Sequence, residues 1–360
     1  MKLALLTKYG NMAASTRQRF EQYHPFLEDV GFELVSYPLL DNNYLSRLYN
    51  NKRQERGHVT SCYLKRFRWL LSKPDVDLIW LHCELFPFFP GLAEKFSSWP
   101  GKPIVFDYDD AIFHNYNIHP NPLIRATLGR KLHTTIRAAE MAFCGNDYLA
   151  SYARPLCSRT EIVPTILDTS IFCPAKNKQS MNIPPRIGWI GSPSTWNDYL
   201  LSMLPMLQDL TKSEGAKIAI MGADKNAEPN PLIDFVEWSE ASEVPFLQSL
   251  DIGIMPLVDT PWARGKCGYK LIQYMACGLP VVASPVGVNS DIVEHGVNGF
   301  LAETNEEWSR AIKILLNNAD LRRQMGSAGQ KKVEEYYSLK VWGPRVAKML
   351  QNIIKEQAHA

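Results

Sequence analysis

Three cations and two glycines fall within Arg264-Gly-Lys-Cys-Gly-Tyr-Lys270, just ahead of an apolar segment with helical spacing. A helix N-terminus carries partial positive charge and unbonded N–H groups, so anions bind there. Gly265 and Gly268 let the backbone approach a phosphate closely. Arg264, Lys266 and Lys270 add charge around the same loop. A diphosphate leaving group gains negative charge as its bond to a sugar breaks, and fixed cations at that point stabilise the transition state. By itself the segment is equally open to a plainer reading, three solvated basic residues on an ordinary surface.

A second small-residue loop, Gly188-Trp-Ile-Gly-Ser-Pro-Ser-Thr195, follows a strand pattern. There Gly191, Ser192, Ser194 and Thr195 are expected either to donate to phosphate or to cap the next helix. Acidic chemistry is concentrated in Phe106-Asp-Tyr-Asp-Asp-Ala-Ile-Phe-His114. Asp109 or Asp110, just past a buried strand, is placed to take a proton from a hydroxyl. Two adjacent acids repel, so one is expected to have a raised pKa. The alternative is that one only caps the following segment. Asp107-Tyr-Asp109 also spells a three-residue metal signature, which is weak evidence alone. His114, His119 and His133 lack zinc spacing, and no essential metal or cofactor is expected. His82 and Glu84 end another strand pattern and Asn146 follows a third; each is either an acceptor contact or a satisfied structural group. In the first loop, Ser15, Thr16 and Arg17 suit a phosphate or sugar hydroxyls, or a plain helix cap with Arg17 and Arg19 solvated.

Elements that position these residues are legible in the pattern of apolar runs. Strands are expected at Leu3–Leu6, Phe32–Tyr37, Leu78–Leu81, Ile104–Phe106 and Met141–Cys144, with a helix over Thr16–Val30. A second series has strands at Ile187–Ile190, Ile218–Met221, Phe235–Trp238, Gly253–Met255 and Val281–Ala283. Its helices are expected at Trp196–Leu210, Tyr269–Ala276 and Glu306–Leu316. Strands alternating with crossover-length segments predict α/β structure, two parallel sheets each wrapped by helices. Cys173–Pro185 has linker composition. The expected domains are 1–175 and 176–340, with helix Val341–Glu356 in a tail, 341–360, that crosses back to the first. Ligands of such sheets sit beyond the carboxyl ends of the strands.

Bulk properties exclude several classes. The 360 residues are 46% hydrophobic and 21% charged, with a net charge of +2, which is too small to indicate nucleic-acid binding. No run of about 18 apolar residues is present, so no spanning helix is expected. The opening MKLALLTKYG reads as a first strand and not as a secretory signal. Seven scattered cysteines with no Cys-x-x-Cys pair suit a reducing cytoplasm. Between Arg47 and Lys73, the bases Arg53, Arg56, Lys65, Arg66 and Arg68 mix with Tyr63, Phe67 and Trp69. That mixture is open to two readings, a peripheral contact with an anionic membrane or a solvated helix with its aromatics in the core.

Gln273-Tyr-Met-Ala-Cys-Gly-Leu-Pro-Val-Val282 resembles the signature of the retaining glycosyltransferases of family four. Pro285–Leu301 and Val163-Pro-Thr-Ile-Leu-Asp168 with Phe172 are similar to further stretches of that family, in the same order. The resemblance implies a GT-B fold, two Rossmann-like doubly wound domains facing a central cleft. It also implies a nucleotide-diphosphate sugar donor bound mainly by the second domain, and a glycan or lipid-linked acceptor. Gln273 stands where the family has a ribose-binding glutamate, and Gly265 where it has a first glutamate near the transferred sugar. Lys266 and Lys270 resemble a Lys-Cys-x-x-Lys form of the loop seen in bacterial polysaccharide enzymes. Trp238 falls in the family's base-binding loop and Asp291 matches an acidic residue after its paired glycines. Asp109 and Asp110 fall where relatives carry a His-Asp pair.

The expected function is therefore retaining sugar transfer, in the cytoplasm or at the inner face of the membrane, in surface polysaccharide assembly. A nucleotide-sugar epimerase and a non-catalytic nucleotide-binding protein are the alternatives; the two absent glutamates favour the latter.

Overall fold

The computed structural model describes residues 1–50, 52–98, 100–175, 184–223 and 230–357. Its contacts divide the chain into two units. The first holds Met1–Thr165, Gly265–Cys267 and Trp342–Ala360, and the second Ile166–Arg264 and Gly268–Val341. The division falls earlier than the expected 175/176 boundary for a backbone reason. Leu167 N donates to Tyr337 O at 3.2 Å and Leu167 O accepts from Leu339 N at 2.8 Å, which ties the segment to the second unit. Part of the expected linker, 176–183, lies outside the described residues. The last helix, Leu339–Gln357, begins in the second unit and continues in the first.

In the first unit, β1 (Lys2–Leu6), β2 (Glu33–Ser36), β3 (Leu78–His82), β4 (Ile104–Tyr108), β5 (Met141–Cys144) and β6 (Thr160–Ile162) form one parallel sheet. Its order is β2-β1-β3-β4-β5-β6. Strands β3, β4 and β5 are buried along their whole length. Continuous apolar runs are what a parallel strand covered on both faces requires. The order reverses between β1 and β3, so the carboxyl ends of the central strands β1, β3, β4 and β5 border the place where such sheets bind ligands.

In the second unit, β7 (Arg186–Ile190), β8 (Lys217–Met221), β9 (Ile233–Val236), β10 (Ile252–Met255), β11 (Val281–Ala283) and β12 (Gly299–Leu301) form another parallel sheet, ordered β12-β11-β10-β7-β8-β9. Its pleat sorts the side chains into two cores. Ile187, Trp189, Ile218, Ile220 and Val282 enter one cluster. Their chain neighbours Ile190, Ala219, Met221, Val281 and Ala283 enter the other. This is the period-two alternation of a strand, apolar on both faces.

Two expected helices are interrupted. Thr16–Val30 is a helix Ala14–Arg19, a 3-10 turn Glu21–Tyr23 and a new helix His24–Asp29. Pro25 has no N–H to donate, so it fits only a first turn. Trp196–Leu210 is likewise a π turn Trp196–Leu200, a 3-10 turn Leu201–Met203 and a helix Leu204–Glu214, again with proline in its first turn. The strand expected at Phe235–Trp238 ends at Val236, which leaves Trp238 outside it and 38% exposed. The edge strands β6 and β12, three residues each, are too short for periodicity to mark.

Candidate functional site

The first unit gathers acids at the end of β4. Asp107 is fully buried and accepts a bidentate ion pair from Arg19, Nε to Oδ1 at 2.9 Å and a terminal guanidinium nitrogen to Oδ2 at 3.0 Å. Trp80 Nε1 donates to the same carboxylate at 3.1 Å. Arg19 also donates to the carbonyls of Val163 at 2.8 Å and Pro164 at 3.0 Å. Burial opposes the charge on Arg19, and the acidic groups around it, Asp107 foremost and then Tyr23 and Asp109, together more than offset it, so the guanidinium stays protonated. Asp107 therefore serves as a structural anchor; both its oxygens are occupied, which removes it from the Asp-x-Asp metal reading. Arg19, solvated in one of the two readings of the first loop, is instead buried.

Asp109 and Asp110 follow on the loop. His82, the last residue of β3, brings Nε2 to 3.4 Å from Asp109 Oδ1. Burial pushes the Asp109 carboxyl up, but His82 and Arg19 together hold it below its ordinary value. Asp110 is pushed up to about 6, first by burial and then by the negative charge of Asp109, with Lys266 and His82 pulling it back. The adjacent acids thus titrate apart, as like charges in a partly dry site must.

Lys266 belongs to this unit because its loop is fastened here. Asn146 caps the helix Asp147–Ala153 through Oδ1, and its Nδ2 donates to the carbonyls of Gly265 and Lys266, each at 3.0 Å. The Cys267 thiol donates to Asp109 O at 3.0 Å. Burial and the charge of Asp109 push that thiol up, so it stays protonated and able to donate. Two glycines make room. A Cβ on Gly145 would lie 2.3 Å from Cys267 Sγ, and a Cβ on Gly265 2.4 Å from the Ala111 Cβ. Gly265 therefore has no room for a glutamate side chain.

Other expected contacts are committed elsewhere. Glu84 is buried and accepts from Lys131 at 2.8 Å and Tyr116 at 2.6 Å, so its carboxylate is a structural partner. Thr16 is no helix cap; its buried hydroxyl donates to Tyr9 O at 2.9 Å. Arg17 donates to the carbonyls of Asn11 and Met12. Ser15 is half-buried on the same short helix, whose N-cap, Ala13, supplies no side-chain bond. Among the described residues, two groups have the reach to hold a metal ion, Asp41 with His58 and Cys62, and His82 with Cys83 and Asp109.

The second unit offers a different site. Lys270 Nζ lies 4.3 Å from the centre of the Trp189 ring. A Cβ on Gly191 would lie 2.7 Å from that ammonium and 2.3 Å from the indole, so glycine is needed where β7 ends. Ser192 and Thr195 form a capping box, and the Ser194 hydroxyl lies 3.0 Å from that of Ser192. Gly268, at φ 67, opens the helix Tyr269–Ala276 and supplies no capping side chain. Gln273 is buried and donates to Glu243 Oε1 at 2.9 Å. Arg264 is exposed and held in a bidentate pair by Asp259, at 2.7 and 2.8 Å. Trp238 and Asp291 are exposed, and the Asp291 carbonyl accepts from Lys332 at 2.6 Å.

Residues 184–318 match the family model described as Glycosyl transferases group 1. The match covers β7 to the helix Asn305–Asn317, the portion holding every candidate of the second unit. A glycosyltransferase of Methanocaldococcus jannaschii, itself uncharacterized, is 42% identical over 65 residues, 18% of each chain. The capsular polysaccharide biosynthesis glycosyltransferase CapM of Staphylococcus aureus is 31% identical over 98 residues, 27% of this chain and 26% of that one. The chain thus aligns with about a quarter or less of those relatives' lengths. Likeness of fold extends much further. Sucrose-phosphate synthase of Thermosynechococcus elongatus superposes with a TM-score of 0.71 over 99% of this chain and 100% of that one, at 12% identity. HepE of Anabaena, in complex with UDP, gives 0.70 over 98% and 100%, at 15% identity. The fold is the two-domain α/β arrangement of these GT-B proteins.

Proposed function

We propose that this protein is a retaining glycosyltransferase that moves a sugar from a nucleotide-diphosphate donor to a glycan or lipid-linked acceptor in surface polysaccharide assembly. The observation that carries the reading is the fastening of Lys266. Asn146 and Cys267 hold its loop against Asp109 and Asp110, and Lys266 acts electrostatically on Asp110. A cation poised beside an acid pair suits a reaction in which a diphosphate leaves and a hydroxyl attacks. The family match and the UDP bound by HepE support a nucleotide donor. The pathway of CapM supports a polysaccharide product.

In this reading the second unit binds the donor. Lys270 and the uncapped turn after Gly268 hold the diphosphate, with Gly191 keeping the floor of the loop open. Gln273 reaches the ribose with Glu243 orienting its amide. The first unit binds the acceptor and supplies Asp109 and Asp110, while Lys266 neutralises the departing phosphate. The chemistry needs no metal.

Thermal unfolding against UDP, GDP, ADP and CDP, in EDTA and in magnesium, tests the reading. A nucleotide at a hundred times its Kd adds about 2.7 kcal/mol, a rise of a few degrees. One selective shift that persists in EDTA is the expected result. No shift with any nucleotide overturns the donor assignment. Product formed with the anomeric configuration of the donor, read by NMR, would establish retention. Interconversion of nucleotide sugars without acceptor would instead identify an epimerase, and binding without turnover a nucleotide-binding protein.

A further inference from the structure

The first unit carries large apolar side chains on its surface. Phe88 is 74% exposed, Leu92 69% and Leu123 68%, with Phe89 at 51%. Scattered exposed apolar residues are normal, but a built patch marks a contact. This patch is built. Phe88 adopts φ 63, in the left-handed region that a bulky residue enters only when its surroundings impose it. The surroundings are a buried polar cradle. Glu94, fully buried, accepts from Leu85 N at 3.0 Å, Phe86 N at 3.2 Å and the Thr135 hydroxyl at 2.9 Å. Lys131, also buried, donates to Phe86 O and to Glu84. Phe88 N donates to the Tyr116 hydroxyl at 3.3 Å, and the Tyr63 hydroxyl donates to Pro87 O at 3.1 Å. Buried charges and two prolines thus hold a short loop rigid while its side chains point outward.

The charge around the patch has one sign. No Asp or Glu occurs from Ala111 to Ala139, while Arg125, Arg130, Lys131 and Arg137 do. Between Leu85 and Pro103 Glu94 is the sole acid, and it is buried beside Lys131. Leu92, Arg125 and Arg130 line one groove, and Leu92 and Lys95 a second. Leu123 precedes the groove residues Ala126 and Thr127 by three and four positions, which puts it on the same helix face. Arg125, Arg130 and Lys95 are exposed.

We propose that this face docks on an anionic lipid bilayer, with Phe88, Phe89, Leu92 and Leu123 entering the acyl boundary and Lys95, Arg125 and Arg130 meeting lipid phosphates. An apolar wedge flanked by cations, on segments whose one acid is buried, matches a negatively charged interface of that depth. The basic helix Arg56–Leu71, in contrast, turns its aromatics inward. Phe67 packs on Phe96 at 5.0 Å and Trp69 on Tyr37 at 4.6 Å, and buried Arg66 donates to Thr7 O and Tyr37 O.

The full chain is sedimented with vesicles of phosphatidylcholine, with and without phosphatidylglycerol. Binding to the phosphatidylglycerol vesicles is expected, with little to phosphatidylcholine alone. F88S/F89S should weaken it at least tenfold, since each phenylalanine withdrawn from water is worth roughly a factor of ten or more. Neutralising Arg130 (R130Q) should cost about fivefold. L201S, at an exposed leucine of the second unit, should change nothing. An unchanged melting temperature for F88S/F89S shows that the variant is folded. Absent binding to phosphatidylglycerol vesicles, equal binding to phosphatidylcholine, or wild-type binding by F88S/F89S overturns the proposal. Loss of a dimer in F88S/F89S without vesicle binding overturns it in favour of a second copy of the chain. No nucleotide sugar is present in this assay, so its outcome is independent of the transferase reading.

Discussion

The two units treat polar groups at their strand ends in opposite ways. In the first, charges are buried and paired, Arg19 on Asp107 and Lys131 on Glu84 and Glu94, and His82 lies against Asp109. In the second, the candidate polar groups other than half-buried Lys270 are exposed or neutral. Ser192 and Ser194 bond each other at the surface, Arg264 and Asp259 pair in solvent, and buried Gln273 carries no charge. Burying charge is costly unless each group is fully bonded, and it gives a fixed electrostatic field in return. Under the proposed function, the second unit, with a helix that opens on glycine and one lysine over an indole, receives an anion that brings its own charge.

The largest test of this contrast is Arg19→Met. It leaves Asp107 buried with Trp80 as its remaining partner, and breaking such a pair costs about 3–5 kcal/mol. Arg264→Met breaks an exposed pair of the same geometry and should cost less than about 1 kcal/mol. Urea unfolding of both variants reads the difference directly. Equal losses would remove the contrast.

Lys266→Ala comes next. Its turnover should fall about 10²–10³-fold, the scale of one lost transition-state contact, with the melting temperature nearly kept because the loop is held by Asn146 and Cys267. Lys270→Ala should instead weaken nucleotide binding, measured by calorimetry. If both variants lost only affinity, Lys266 would be a binding residue and the division of labour between the units would fail.

Much of the arrangement was legible in the chain. Met141–Cys144, Val281–Ala283 and Tyr269–Ala276 occur with the bounds their patterns predict, because each is a local run whose period or flanking glycine decides it. Arg19 was not legible. Its partner Asp107 lies 88 positions away, and nothing local distinguishes a buried arginine from a solvated one. Glu84 and Asn146 illustrate the same limit, since Lys131 and the Gly265–Lys266 carbonyls are distant in sequence. Gly145 is the signal that could have been used. A glycine directly before a strand-end asparagine marks a close approach, and the structure puts Cys267 there.

Gly191→Ala sharpens the comparison within the second unit. The added methyl would meet the Trp189 ring and the Lys270 ammonium, so one must move. Overpacking of this kind costs about 1–3 kcal/mol. Nucleotide affinity should drop by roughly tenfold or more if the loss falls on Lys270. Wild-type affinity with lowered stability would show that the indole yields and Lys270 stays.

The smallest effect concerns Asp110, and it has an unusual sign. Its folded-state pKa, about 6, lies above that of an ordinary aspartate. Between roughly pH 4 and 6 the folded state binds more protons than the unfolded one, so this group lowers stability as pH rises through that window. Asp110→Asn should therefore stabilise the protein at pH 7 by about 1–2 kcal/mol, less than the full shift of the carboxyl because the site is partly solvated. The gain should fade below about pH 4, where the wild-type carboxyl is neutral in both states. Asp109→Asn should have the opposite sign, since His82 holds that carboxyl down and its contribution is present at neutral pH. If Asp110 is the group that takes the acceptor proton, its asparagine variant will be the more stable and the slower enzyme at once. A variant that melts higher and turns over normally would leave Asp109 alone in that role.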